Sequence, residues 1–263
     1  MSFYEWFWGE DDGNVYRRFD KSRVSYSTIQ AIRLVCIFTL AGWLFAGFFY
    51  EDGPLIQFKF LTVWTSYIAF FSLILNYFAT EQQYLYPEKV TGMKLFLWHT
   101  AFIVLVLAWC LDIIVTIAYW LYTTPFTYPI YTIQFWYELF IHTLPIIFNL
   151  LDFNLNRYIW RAQHLFALFC ISLVYLAFNY AWTVISGTPV YAPITWKDPV
   201  ENAILILGFL LADTIIFFIY YFICLANSQR TYTNDGRTIT LLKVSNKSNF
   251  EFNQRLETRI YDP

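Results

Sequence analysis

The chain has 263 residues, of which 58% are hydrophobic and only 14% charged, and its mean hydropathy is +0.45. A soluble domain carries about a quarter charged residues, so this composition argues against a soluble enzyme and for a multi-pass membrane protein. The formal charge of −2 is nearly balanced; it argues neither way about nucleic acid, and no nucleic-acid partner is expected.

The first 28 residues, MSFYEWFWGEDDGNVYRRFDKSRVSYST, mix acids, bases and aromatics with no apolar core, so no cleavable signal peptide is expected and the first membrane helix directs insertion. Crossing about 30 Å of hydrocarbon takes about 20 apolar helical residues. Six segments qualify, at about 29–50, 58–80, 95–122, 129–152, 162–186 and 201–227. Between them lie EDGPLIQ, TEQQYLYPEKVTGMK, TTPFTYP, FNLNRYIWR and GTPVYAPITWKDPVE, each carrying the Gly, Pro or charge of a loop. The segments are too long and too continuously apolar for membrane strands. From about residue 228 the chain is polar, and RTYTNDGRTITLLKV reads as two strand-prone runs around an Asn-Asp-Gly turn. The expected fold is an all-α, six-transmembrane-helix bundle over 29–227, with a polar and aromatic N-terminal segment (1–28) and a polar tail (228–263).

Basic residues set the expected orientation. With the amino terminus inside, the inner segments hold Arg17, Arg18, Lys21, Arg23, Lys89, Lys94, Arg157, Arg161, Arg230, Arg237, Lys243, Lys247, Arg255 and Arg259, and Arg33 lies near the inner end of the first helix. Those are 15 of the 17 Lys and Arg, leaving Lys59 and Lys197 outside. The positive-inside rule puts both termini in the cytosol or the matrix. The mitochondrial inner membrane is the expected location, with endomembrane or plasma membrane as alternatives.

The most informative stretch is ELFIHTLPIIFNLLD in the fourth segment. Glu138, His142, Pro145, Asn149 and Asp152 are spaced 4, 3, 4 and 3, which at 100° per residue confines them to a stripe about 80° wide. Ionisable groups facing lipid cost several kcal/mol, so the stripe is expected to meet other helices or a wet cavity. Pro145 cannot donate to the carbonyl of Ile141, which frees that oxygen for a water or a side chain. Thr62, Thr65, Ser66, Ser72 and Asn76 line one side of the second segment, and Ser172, Asn179, Thr183 and Ser186 line the fifth. Asp112 and Asp213 are lone carboxylates in apolar company. Such stripes either bond helices together or serve a function, and the residues alone leave both readings open.

Other features read as architecture. Ala41, Gly42, Ala46 and Gly47 form a small-residue packing face on the first segment. His99 follows Trp98 at an inner membrane end and reads as interfacial, while His164 follows Arg161 and reads as solvated. Cys36, Cys110, Cys170 and Cys224 fall in apolar segments without a CxxC pair and read as small buried hydrophobes. Isolated His and scattered Cys give no metal-ligand spacing, and no nucleotide or hydrolase fingerprint is present, so neither metal nor cofactor is expected.

FKFLTVWT opening the second segment and IHTLPIIFNLLD in the fourth resemble the androgen-induced and androgen-dependent multi-pass membrane family. RAQHLFALFCISLVYLAFNYAWTVISGTPVYAPITWKDPVENA is similar to its rolling-stone-like branch. As a hydropathy frame the resemblance covers about residues 30–227, and its specific motifs fill three short windows. It implies six helices with both termini inside. In members that hydrolyse fatty acid esters of hydroxy fatty acids, it implies a nucleophile at Thr62 and its base at His142, with Glu138 one turn away to orient the ring. Straight, upright helices would separate Thr62 and His142 by roughly 13 Å in depth. Two functions follow as expectations. One is a non-catalytic accessory or scaffold subunit of a larger membrane complex, partnered by lipids and other membrane subunits. The other is an intramembrane hydrolase of lipid esters.

Overall fold

The computed structural model describes residues 3–8, 24–50, 56–85, 92–122, 129–155 and 160–234. The chain divides into two units, 1–226 and 227–263, and of the second only the helical stretch to Asn234 is among the described residues. The described residues are helical with connecting turns. They form α1 (Phe3–Trp8), α2 (Tyr26–Tyr50), α3 (Leu61–Leu85), α4 (Met93–Tyr122), α5 (Ile133–Leu155), α6 (Leu165–Ser186) and α7 (Pro199–Asn234), with 3-10 turns at Gln57–Lys59 and Ala162–His164.

All six expected segments are helices. Five contain stretches long and apolar enough to cross a membrane: Tyr26–Phe49, Leu61–Gln82, Leu95–Leu121, Ala162–Ser186 and Pro199–Ala226. The chain is a multi-pass membrane protein. Helix α5 is not among the five because its Glu, His, Asn and Asp dilute its apolar residues. At 23 residues it is nevertheless about 34 Å long, enough to match the others.

Helix ends follow local chemistry. The Ser25 hydroxyl accepts from the Thr28 N–H at 3.2 Å, an N-cap for α2. Asp198 caps α7 by accepting from the N–H groups of Val200 (2.8 Å) and Glu201 (3.1 Å), with Pro199 in the first turn. Gly187 ends α6 in the left-handed conformation, φ +71°. Helix α7 continues through Arg230–Asn234, so the first strand-prone run of the tail is helical instead. No Gly or Pro interrupts the chain between Gly208 and Gly236, and the helix persists past the apolar stretch. The remainder of that expected hairpin lies outside the described residues.

Contacts fix the helix directions. Along α2, Arg33 meets Asp152 while Gly47 lies at Tyr137, so α2 and α5 run oppositely. Asp112 meets Asn149 and Thr116 meets His142, so α4 also opposes α5. Helix α3 runs with α5, because Ser66 reaches Ile141 whereas Thr80 shares Arg33 with Asp152. Helices α2 to α5 form one group around Leu40, Leu44, Ala69, Leu73, Ala108, Tyr137 and Ile141. A second core joins α4 to α6 and α7 through Trp98, Leu105, Trp109, Trp160, Leu168 and Phe217, all at most 2% exposed.

Helix α1 was not legible in the sequence. Its Phe7 and Trp8 are buried, and Trp8 stacks on His99 at 3.7 Å between ring centroids. His99 is therefore packed within the protein, near the start of α4. His164 is also buried, a correction to the solvated reading. The 3-10 turn that precedes α6 carries its ring inward among Phe7, Trp8 and Phe102, and its Nδ1 accepts from the Arg161 N–H at 3.2 Å. The small-residue face on α2 divides in two. A Cβ on Gly47 would meet Tyr137 Oη at 2.5 Å, whereas Gly42 faces open space. Cys36, Cys110 and Cys224 are buried as expected, but Cys170 is exposed.

Candidate functional site

Between α2, α3, α4 and α5 runs a column of buried polar groups. The stripe read from ELFIHTLPIIFNLLD supplies one wall of it. At one end, Asp152 accepts from Arg33 Nε at 2.5 Å, with the two side chains 2% and 1% exposed. The guanidinium also donates through Nη1 to the Asn76 carbonyl (2.9 Å), the Thr80 hydroxyl (2.6 Å) and Gln30 Oε1 (3.5 Å). Arg33 therefore does more than mark the inner end of its helix: it is the cation of a buried ion pair joining α2, α3 and α5.

Further along the column, Asn149 Nδ2 donates to Asp112 Oδ2 at 2.6 Å, and both residues are at most 2% exposed. The Thr65 hydroxyl lies against the same carboxylate and also reaches the Thr62 carbonyl at 3.0 Å. Asn76 Nδ2 donates to the Ser72 carbonyl at 2.9 Å. The carbonyl of Ile141, left without a donor by the proline, lies 3.4 Å from the Ser66 hydroxyl, whose closer acceptor is the Thr62 carbonyl at 2.8 Å. The next carbonyl, of His142, receives the Thr116 hydroxyl at 2.8 Å. Two neighbouring helices thus place a hydroxyl at each of these successive carbonyls of α5.

At the other end of the column, His142 Nε2 lies 3.4 Å from Glu138 Oε2, and its ring stacks flat on Tyr119 at 3.6 Å. Because Ser66 sits at the level of Ile141, the depth offset between Thr62 and His142 falls from the expected 13 Å to roughly 5–8 Å. Helix α5 simply starts before the start of α3 along their shared direction. Even so, no hydrogen bond joins Thr62 to His142 among the described residues. The Thr62 carbonyl is engaged by Thr65 and Ser66, while His142 is held by Glu138 and Tyr119.

Asp213 stands apart from this column, in the seam between α6 and α7. It is fully buried and takes the Ser172 hydroxyl at 3.1 Å. The rest of the α6 stripe turns to a different task. Asn179 Oδ1 accepts from Trp196 Nε1 at 2.8 Å, and Thr183 bonds back to the Asn179 carbonyl at 2.9 Å. Trp196 itself sits in the loop after α6 at φ +59°, a left-handed conformation that costs a non-glycine residue about 1 kcal/mol or more.

The same loop supplies a contact the sequence did not announce. Tyr191 Oη accepts from the Leu61 N–H at 2.8 Å, capping α3 from a residue 130 positions away. Tyr175 Oη donates to the Lys59 carbonyl at 2.8 Å and lies 3.3 Å from Tyr191 Oη. Burial raises the Tyr191 hydroxyl pKa above its ordinary 10.0. The Tyr-x-Pro of the loop was the available signal, but nothing local points its ring at α3.

Among the described residues no three or more His, Cys, Asp or Glu side chains gather into one cluster. Comparison with family models, curated proteins and solved structures finds no match to this chain.

Proposed function

We propose that this chain is a non-catalytic accessory or scaffold subunit of a larger membrane complex, anchored by six spans with both termini on the positively charged side. One observation carries the reading: the stripe on α5 is engaged within the chain. Glu138 holds His142, Asn149 holds Asp112, Asp152 holds Arg33, and the carbonyl freed by Pro145 is met by Ser66. The last three of these contacts tie α5 to α4, α2 and α3, and cross-helix polar contacts of that kind hold membrane helices together.

The outward faces favour the same reading. On α7, Val200, Ile204, Leu207, Leu211, Ile215, Ile219 and Phe222 are exposed along one stripe, and α2 exposes Phe38, Phe45 and Phe49. These surfaces suit lipid or the helices of other subunits. Counting α5 as the sixth span rests on its length and its antiparallel packing with α2 and α4. The inner-side distribution of 15 of 17 Lys and Arg supports the orientation. An energy-converting membrane such as the mitochondrial inner membrane is the proposed setting, and subcellular fractionation tests it.

The decisive experiment is gentle extraction from the native membrane, native sizing and mass spectrometry of whatever co-migrates. A stoichiometric place in a large complex is the expected result, and a small free particle overturns the proposal. The lipid-ester hydrolase reading has one observation in its favour, the reduced depth offset between Thr62 and the Glu138-bound His142. For that reading, Thr62→Ala must abolish ester hydrolysis by a folded protein; activity that survives the substitution rules it out.

A further inference from the structure

The polar column contains an ion pair that balances and a carboxylate that does not. Arg33 is committed to Asp152, within reach of Asn76, Thr80 and Gln30. Asp112, 2% exposed and well inside α4, touches no Lys, Arg or His among the described residues; its partners there are Asn149 and Thr65. An isolated carboxylate at that depth is among the most costly groups a membrane protein can hold. Something positive must accompany it.

The neighbouring amide says what that is. Asn149 is fully buried, and its Nδ2 donates to Asp112 Oδ2, so the amide faces the carboxylate. Its Oδ1 has no hydrogen-bond partner among the described residues. A bare proton on Asp112 does not resolve this. Left as it stands, the amide keeps an unpartnered oxygen; turned over, it gives that oxygen a donor and strands its nitrogen instead. Either way one buried polar atom goes unmet.

We propose that Asp112 and Asn149 form a buried binding site for a monovalent metal cation, Na+ by its chemistry, with the Thr65 hydroxyl oxygen as a further ligand. The available donors are all hard oxygens (carboxylate, amide and hydroxyl), which suit alkali and alkaline-earth ions and not the softer transition metals. Charge selects between the two classes. One carboxylate and one monovalent ion sum to zero, whereas a divalent ion would leave a net positive charge inside the bilayer. Three helices contribute, Thr65 from α3, Asp112 from α4 and Asn149 from α5, so an ion bound there ties their packing together.

The test uses the full chain in lipid nanodiscs, unfolded thermally in NaCl and in choline chloride at equal ionic strength. Na+ at ten times its Kd should raise Tm by about 3–6 °C over choline, because the ion binds the folded state alone. Asp112→Asn should erase that difference, while Asp213→Asn, which removes the other buried carboxylate, should preserve it. Should Asp112→Asn fail to fold, sodium NMR on the native chain and on Thr65→Val replaces it: ion-specific line broadening, weakened in the variant, is expected. Equal stability in Na+ and choline, or a Na+ shift that survives Asp112→Asn, overturns the site. Stability that responds to pH with no Na+ dependence overturns it equally, since the carboxyl then carries a proton. None of these readouts depends on membership of a larger complex.

Discussion

Replacing Asp152 by Asn is the sharpest probe of the column. The amide oxygen of Asn can still accept from Arg33 Nε, so the substitution removes charge and leaves shape and one hydrogen bond nearly intact. The guanidinium keeps the Asn76 carbonyl, the Thr80 hydroxyl and Gln30 but loses the carboxylate it is paired with. Two unit charges about 4 Å apart at an effective dielectric of 20 attract by about 4 kcal/mol. Breaking one side of a buried pair costs about 3–5 kcal/mol by the same reasoning from experiment. Asp152→Asn should therefore destabilise the fold by about 3–5 kcal/mol. At about 2–4 °C per kcal/mol for a chain of this size, even the lower value moves Tm by about 6–12 °C. The measurement is equilibrium unfolding in mixed micelles of Asp152→Asn, Asp152→Leu, Arg33→Met and the double variant Arg33→Met/Asp152→Leu. The double variant should lie within about 1 kcal/mol of the native chain, because it removes both charges and fills the space with apolar atoms. An Asp152→Asn cost under about 1 kcal/mol, or a double variant as unstable as the two single changes summed, would refute the reasoning.

Three further outcomes are expected. Ser66→Ala should cost at most about 0.6 kcal/mol, the worth of an interhelical hydrogen bond in membranes, because its hydroxyl also bonds back to the Thr62 carbonyl, and it should cost less still in a Pro145→Ala background, where the restored N–H meets the Ile141 carbonyl; a double-mutant unfolding cycle measures both. Gly47→Ala should cost about 1–3 kcal/mol from overpacking against Tyr137 and Gln57, and Tyr137→Phe should recover part of it by removing the hydroxyl that a Cβ would strike at 2.5 Å. Tyr191 gives a pH dependence. Its folded-state pKa lies above the ordinary 10.0 because of burial, so both states keep the proton below pH 10 and the full stability is present there. Above that pH the unfolded chain releases the proton first and stability falls. Tyr191→Phe should flatten the fall in a titration of Tm against pH.

Much of the interior was readable because a membrane makes polar residues conspicuous. The spacing of Glu138, His142, Pro145, Asn149 and Asp152 defined a stripe, and the structure lines the column with it. Pro145 announced a free carbonyl at Ile141, and a side chain occupies it. What the spacing lacked was the identity of each partner. Arg33 looked like a topology marker, Asp112 and Asp213 looked solitary, and His164 looked solvated. Each was resolved by a residue dozens of positions away or by an aromatic segment at the other end of the chain. The depth of Thr62 against His142 was overestimated for a similar reason: sequence counts residues from each helix end, but the ends themselves are staggered.

The sequence by itself determined the solvent of this protein, the six helices and which face of α5 had to be shielded from lipid. Those follow from composition and from a period of 3.6 residues, both of which are local. Tertiary structure alone decided that Arg33 neutralises Asp152, that Tyr191 caps α3, that Trp8 stacks on His99, and that Asp112 faces an amide and a hydroxyl and no basic side chain among the described residues. Those contacts depend on the stagger and rotation of each helix against its neighbours. They are set by close packing summed over the whole bundle, which no single helix encodes.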